Sequence, residues 1–254
     1  MPKLTNNLDS FLDIKNSTDT TADLYFYGDI VDSWNGAWDD TDQYPQAIKE
    51  FLDSTNGKDL NIFINSGGWG GSVFAGMAIY NMLKRHKGYK TVYVDGLAGS
   101  IASVIALAGD KIVIPKNAYF MIHKPWCACG GNANDFREIA NTLDKVEQGI
   151  LNVYKDNLAS EMYYDEVVEM VNNETWLTGE EASKYFANVE IVEPLQLVAC
   201  TSDLYSKYIN TPKNISNDLK IENTSLESDV EVEKVEEIEN KIDTDMLLIE
   251  LDLI

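Results

Sequence analysis

Residues 96–102 read Gly96-Leu97-Ala98-Gly99-Ser100-Ile101-Ala102, and the segments on either side of them decide the fold. The run before, Thr91-Val92-Tyr93-Val94, is apolar and β-branched, the composition of a buried strand. The run after, residues 101–108, is helix-compatible and stops at Gly109, where a C-cap glycine is expected. Ser100 therefore falls at a strand-to-helix junction, near an N-terminus whose N–H groups and dipole favour an oxyanion. Small residues at 98, 99 and 102 leave room for a carbonyl to approach its hydroxyl. The flanks Ala98 and Ala102 are not those of the Gly-x-Ser-x-Gly elbow of α/β-hydrolases. Taken alone, a Gly-Ser pair before an apolar helix is more often a capped buried helix than a catalytic site.

Working outward, residues 118–122 read as a buried strand that ends at His123, one of two histidines in the chain, followed by Lys124 and Pro125. Upstream, residues 60–64 form another strand running into Asn65-Ser66-Gly67-Gly68-Trp69-Gly70-Gly71, a loop whose backbone N–H groups can turn toward a ligand. A strand at 23–27, a Trp- and Asp-rich loop at 33–42 that shapes the entrance to a site, and a helix at 46–52 precede these. Strands alternating with helices predict a mixed α/β core. Residues 134–158 predict one long amphipathic helix, with Phe136, Ile139, Leu143, Val146, Ile150 and Val153 on a single stripe. Thr178 and Glu181 have the spacing of a capping box, and short strands are expected at 189–192 and 195–198.

These segments, in this order, resemble the proteolytic subunit of Clp protease and its phage-encoded head-maturation relatives. The resemblance rests on Ile64-Asn65-Ser66 with its glycine loop, Ala75-Gly76-Met77-Ala78-Ile79-Tyr80, the Gly99-Ser100 pair, Met121-Ile122-His123-x-Pro125, and Thr175-Trp176-Leu177-Thr178-x-Glu180-Glu181-Ala182. It covers residues 22–192 and implies a Clp/crotonase-like α/β fold of strand-strand-helix units with a protruding handle helix. By that resemblance Ser100 is the nucleophile and His123 the general base of a serine endopeptidase. Glu174 stands where the family has an aspartate, with Asp165 a weaker substitute. The oxyanion donors implied are the N–H of Ile101 and that of Gly68 or Gly70. The loop departs from the family in having Gly67 in place of a proline and two extra residues. The long helix is implied to contact other subunits of a homo-oligomeric ring, and such rings can stack.

Composition bounds the alternatives. The 254 residues carry a net charge of −22, which argues against nucleic acid, because phosphate binding needs clustered Lys and Arg. No apolar run is long enough to span a bilayer and no secretory leader is legible, so a cytoplasmic protein without a membrane partner is expected. Three cysteines make no disulfide framework, and Cys127-x-Cys129 is too crowded for a metal site, so neither metal nor cofactor is expected. The expected organisation is a flexible arm at 1–20, a protease domain at 21–200 and an acidic tail at 201–254 that is disordered or folds on a partner. That tail, uncommon on a housekeeping subunit, favours a phage protease acting on capsid or scaffold proteins. The alternatives are a proteolytic subunit fed by an AAA+ unfoldase and a silent scaffolding protein on the same fold.

Overall fold

The computed structural model describes residues 18–37, 39–67 and 71–193. They belong to the first of two units, Met1–Pro212 and Lys213–Ile254. The arm expected at 1–20 apart from its last three residues, the strand at 195–198 and the tail at 201–254 lie outside the described residues.

Period-two patterning sets the sheet. Strand β1 (Thr21–Phe26) buries Ala22, Leu24 and Phe26 and turns Asp23 and Tyr25 outward. In β2 (Asp59–Ser66) and β3 (Lys90–Gly99) the buried set is Leu60, Ile62, Ile64, Val92 and Val94. The three strands are parallel, with Leu24 opposite Ile62 and Ile62 opposite Val92. Parallel neighbours need crossover connections, and here these are α1 (Pro45–Ser54), α2 (Val73–Arg85) and α3 (Ile101–Ala106). Their residues Ile48, Phe51, Ile79, Leu83 and Val104 share one core with the strands. On the opposite face Tyr25, Phe63 and Tyr93 stack across the three strands, with ring centroids 4.8 and 5.1 Å apart.

The sheet order is β1-β2-β3-β4-β7, where β4 is Lys111–Pro115 and β7 is Val189–Val192. Strand β3 forks. Its first half, Thr91 to Tyr93, pairs with β4, while Leu97 to Gly99 pair with β5 (Tyr119–Ile122), which is antiparallel to β6 (Thr175–Thr178). The strand expected at 91–94 thus runs on to Gly99. A register shift opens between Ile64 and Ser66, where Asn65 fills the space beside Gly96: a Cβ at 96 would meet its Oδ1 at 2.7 Å.

The helix expected at 101–108 ends earlier, at Ala106, with Leu107 as a right-handed C-cap. Gly109 is no left-handed cap, since Gly57 alone among the described glycines has positive φ. Its smallness serves packing instead, because a Cβ there would lie 2.7 Å from Val92 Cγ2. Beyond β5 comes α4 (Ala133–Asp156), started by a capping box between Asn132 and Asp135. Only its final turns are buried, at Ile150, Leu151, Val153 and Tyr154; Ile139, Leu143 and Val146 are partly covered and Phe136 is 48% exposed. Helix α5 (Tyr164–Asn172) leads into β6, and α6 (Gly179–Tyr185) carries the expected Thr178/Glu181 capping box, Thr178 N–H donating to Glu181 Oε2 at 2.8 Å.

Candidate active site

The fork in β3 builds the site. Because Gly99 is in register with Met121, the next N–H, that of Ser100, donates to Met121 O at 2.9 Å. Strand β5 then ends, and its next residue is His123. Ser100 Oγ and His123 Nε2 lie 2.7 Å apart. Ser100 itself has φ 52°, in the left-handed region that a non-glycine residue occupies only at a cost of about 1–3 kcal/mol. The turn presents the hydroxyl at the mouth of the junction while the rest of α3 is buried. Burial of His123 pulls its imidazole down to about 4, so the ring is neutral near neutral pH. With its proton on Nδ1, Nε2 accepts from the serine O–H.

The β5–β6 ladder pairs Ile122 with Thr175. Just beyond this last pair the two strands are flanked by His123 and Glu174. Glu174 is half-buried and adopts φ 49° between α5 and β6. Asp165 is exposed on the first turn of α5 and is not brought there by any strand pairing. Ile101 is the first residue of α3, so its N–H belongs to those a helix leaves without an internal partner. Its side chain packs on Gly76 of α2, where a Cβ would fall 2.1 Å from Ile101 Cγ1.

Gly68 and Gly70 lie outside the described residues. The loop that holds them is anchored at both ends: Ser66 Oγ donates to Gly28 O at 2.7 Å, and Ser72 N–H to Ile30 O at 3.1 Å. Gly99 touches its start, with a Cβ at 99 lying 3.0 Å from Gly67 O. Next to this loop a cavity of about 630 Å³ opens between the first turn of α2, the residues just after His123 and the outer part of α4. Val73, Ile139, Leu143 and Val146 give it an apolar floor, and the exposed Phe74 and Trp126 rise beside it. Asp32, the neighbour of the loop expected to shape the entrance, also lines it. A substrate side chain fits such a recess.

Two residues that the sequence did not single out close the junction from behind. Ser103 Oγ donates to Ser100 O at 2.6 Å, and Tyr154 OH lies 2.8 Å from Ser103 Oγ. A lone serine inside the apolar run 101–108 is the signal that was available for the first of them. Cys127 and Cys129 are exposed and unbridged, and among the described residues no group of three His, Cys, Asp or Glu gathers as a metal site would require. No described helix is long and apolar enough to cross a membrane.

Comparison with known proteins meets this geometry from outside. The Clp protease family matches residues 40–193, which include Ser100, His123 and Glu174. The ATP-dependent Clp protease proteolytic subunit of Bacteroides fragilis is 33% identical over 144 residues, 55% of this chain and 67% of that protein. The corresponding subunit of Bacteroides thetaiotaomicron is 31% identical over 166 residues, 64% of this chain and 70% of that protein. That of Porphyromonas gingivalis is 30% identical over 174 residues, 67% and 73% of the two chains. A parallel sheet that delivers a serine and a histidine to one junction, within a match spanning more than half of its residues, makes this chain a member of the Clp protease family.

Proposed function

We propose that the protein is a serine endopeptidase in which Ser100 attacks the scissile carbonyl and His123 takes its proton, then returns it to the leaving amine. The observation that carries this is the 2.7 Å contact between Ser100 Oγ and a neutral, half-buried His123. In this reading Glu174 orients the imidazole and stabilises its cation. The N–H of Ile101 and one from Gly68 or Gly70 receive the oxyanion. Water releases the acyl-enzyme, with His123 again as base. The substrate is a protein, and subunits assemble as a ring in which the outer part of α4 meets neighbours.

We further propose that the substrate is a capsid or scaffold protein of an immature phage head. Two features support this: the acidic, apolar-ended stretch 201–254 beyond the family match, and Gly67 with two extra loop residues where the resembled family has proline. The names of the relatives favour a second reading, a proteolytic subunit driven by an ATP-dependent unfoldase. Co-expression with candidate phage head proteins, followed by mass spectrometry of the products, separates the two. The phage reading expects defined cuts in a head protein without ATP, lost in Ser100→Ala. Cleavage of folded proteins only when an unfoldase and ATP are added overturns it in favour of the second. Absence of any cleavage, together with no labelling of Ser100 by a fluorophosphonate, overturns the peptidase reading itself.

A further inference from the structure

The peptide unit between Ser100 and Ile101 has two ends. Its N–H is the oxyanion donor in the reading above, on which this inference rests. Its carbonyl points the other way across the same planar, trans unit. That carbonyl is held twice, by Ser103 N–H at 3.0 Å and by Ser103 Oγ at 2.6 Å. Because the single hydroxyl proton of Ser103 is used on Ser100 O, the Tyr154 hydroxyl donates to Ser103 Oγ across 2.8 Å. Both side chains are buried, Ser103 fully and Tyr154 to within 1%.

We propose that Ser103 and Tyr154 are positioning residues, which lock the orientation of the 100–101 peptide and polarise it so that the Ile101 N–H is a stronger, pre-aimed donor to the oxyanion. Two arguments carry this. The first is mechanical: Ser100 sits at φ 52°, a conformation that persists only when its surroundings hold it, and its N–H and C=O are both fastened, the first to Met121 O and the second to Ser103. The second is electronic, since hydrogen bonds accepted at a carbonyl strengthen the N–H of the same amide, and chains of them reinforce one another in a dry site. Burial also keeps the Tyr154 phenol protonated well above its ordinary range, so the donor persists through the working pH range.

The chain of contacts has a further consequence. Tyr154 belongs to the buried end of α4, the helix whose other end stands open. The handle and the catalytic turn are thereby joined by two hydrogen bonds.

Tyr154→Phe and Ser103→Ala in the full-length protein test this, with peptide hydrolysis and the affinity of a peptide boronate, a tetrahedral mimic, measured side by side. Both variants should lower kcat about tenfold, less than the 10²–10³ lost with a whole oxyanion donor, with KM unchanged. Boronate affinity should fall in proportion, and Ser103→Thr, which keeps the hydroxyl, should restore both. A variant that melts lower but matches the wild type in kcat and boronate affinity below its melting point would overturn the proposal. So would equal losses in Ser103→Thr and Ser103→Ala. A wild-type protein that neither cleaves peptides nor takes up a fluorophosphonate instead sinks the underlying peptidase reading, a result these variants do not mimic.

Discussion

The two ends of α4 come from one amphipathic pattern and live in different surroundings. At the inner end, Ile150, Val153 and Tyr154 sit in the core, and Tyr154 reaches the catalytic turn through Ser103. At the outer end, Phe136 stands about half exposed and Ile139 and Leu143 face a cavity, with Val146 the step at which the helix meets the core. The stripe in the sequence is continuous across both. Periodicity therefore says which side of a helix is apolar and nothing about whether anything lies against it. The inner end is spent on holding this subunit together, and the outer end is available to whatever binds.

The largest contrast between the regions should appear in activity. His123→Ala should cut peptide hydrolysis by about 10⁴-fold or more, with no additional loss when combined with Ser100→Ala, because members of a nucleophilic unit are not additive. Circular dichroism should show the fold unchanged. A double mutant far slower than either single one would mean that the two groups serve separate steps.

Stability divides the helix next. Ile150→Ala should cost about 2–5 kcal/mol in a denaturant titration, the range for a large-to-small change in a packed core, whereas Ile139→Ala should cost under about 1 kcal/mol. If Ile139→Ala proves as costly, and the cost rises with protein concentration, the outer end is packed against another copy and the contrast belongs to the isolated subunit alone.

Acid should act on the catalytic junction and spare the outer helix. The unfolded chain protonates His123 from about pH 6.5 downward, while the folded one resists until about 4. Between these values the unfolded state binds more protons, so stability falls as pH falls, by up to about 3 kcal/mol once below the lower value. Subtracting the pH dependence of His123→Ala from that of the wild type isolates this share. On the same grounds kcat/KM should hold well below pH 6.5 and not halve there; a half-maximal rate at 6.5 would mean that the imidazole is solvated in the working enzyme.

The smallest effects concern two helical glycines. Gly76→Ala drives a Cβ into Ile101 and should destabilise by about 1–3 kcal/mol, with the active turn displaced. Gly149→Ala on α4 meets nothing within 4 Å and should stabilise by up to about 1 kcal/mol through helix propensity. Loss of stability at 149 would again point to a neighbouring copy.

Local signals carried much of this into the sequence. The β-branched runs and the Thr178/Glu181 cap each depend on residues a few positions apart, and each has its expected local structure in the residues described. So do the strand end at His123 and the strand-to-helix turn at Ser100. What escaped depends on distant partners. Nothing near residues 95–99 announces that β3 continues past its bulge, because the reason is β5, more than twenty residues later. Strand β4 has a Pro at its end and only five residues, so it looks like a connector until β3 and β7 flank it. Gly109 looked like a cap because caps are the commoner use of such a glycine; here packing against Val92 was the stronger demand. The Tyr154–Ser103 contact spans 51 residues and has no local signature on the tyrosine side.

The fork in β3 also bears on how the molecule comes apart. The β5–β6 pair is joined to the parallel sheet through Leu97, Ala98 and Gly99, while β1, β2 and β3 share longer ladders with one another. That pair is therefore a leaf on a short seam, able to open locally at a free energy below that of global unfolding. Opening it carries His123 away from Ser100 and leaves the remaining strands intact. On gentle heating, catalytic competence should vanish before helical content does. Amide protons of residues 120–122 should exchange faster than those of β2, and a ligand bound at the junction should slow them by acting as a rivet through the seam.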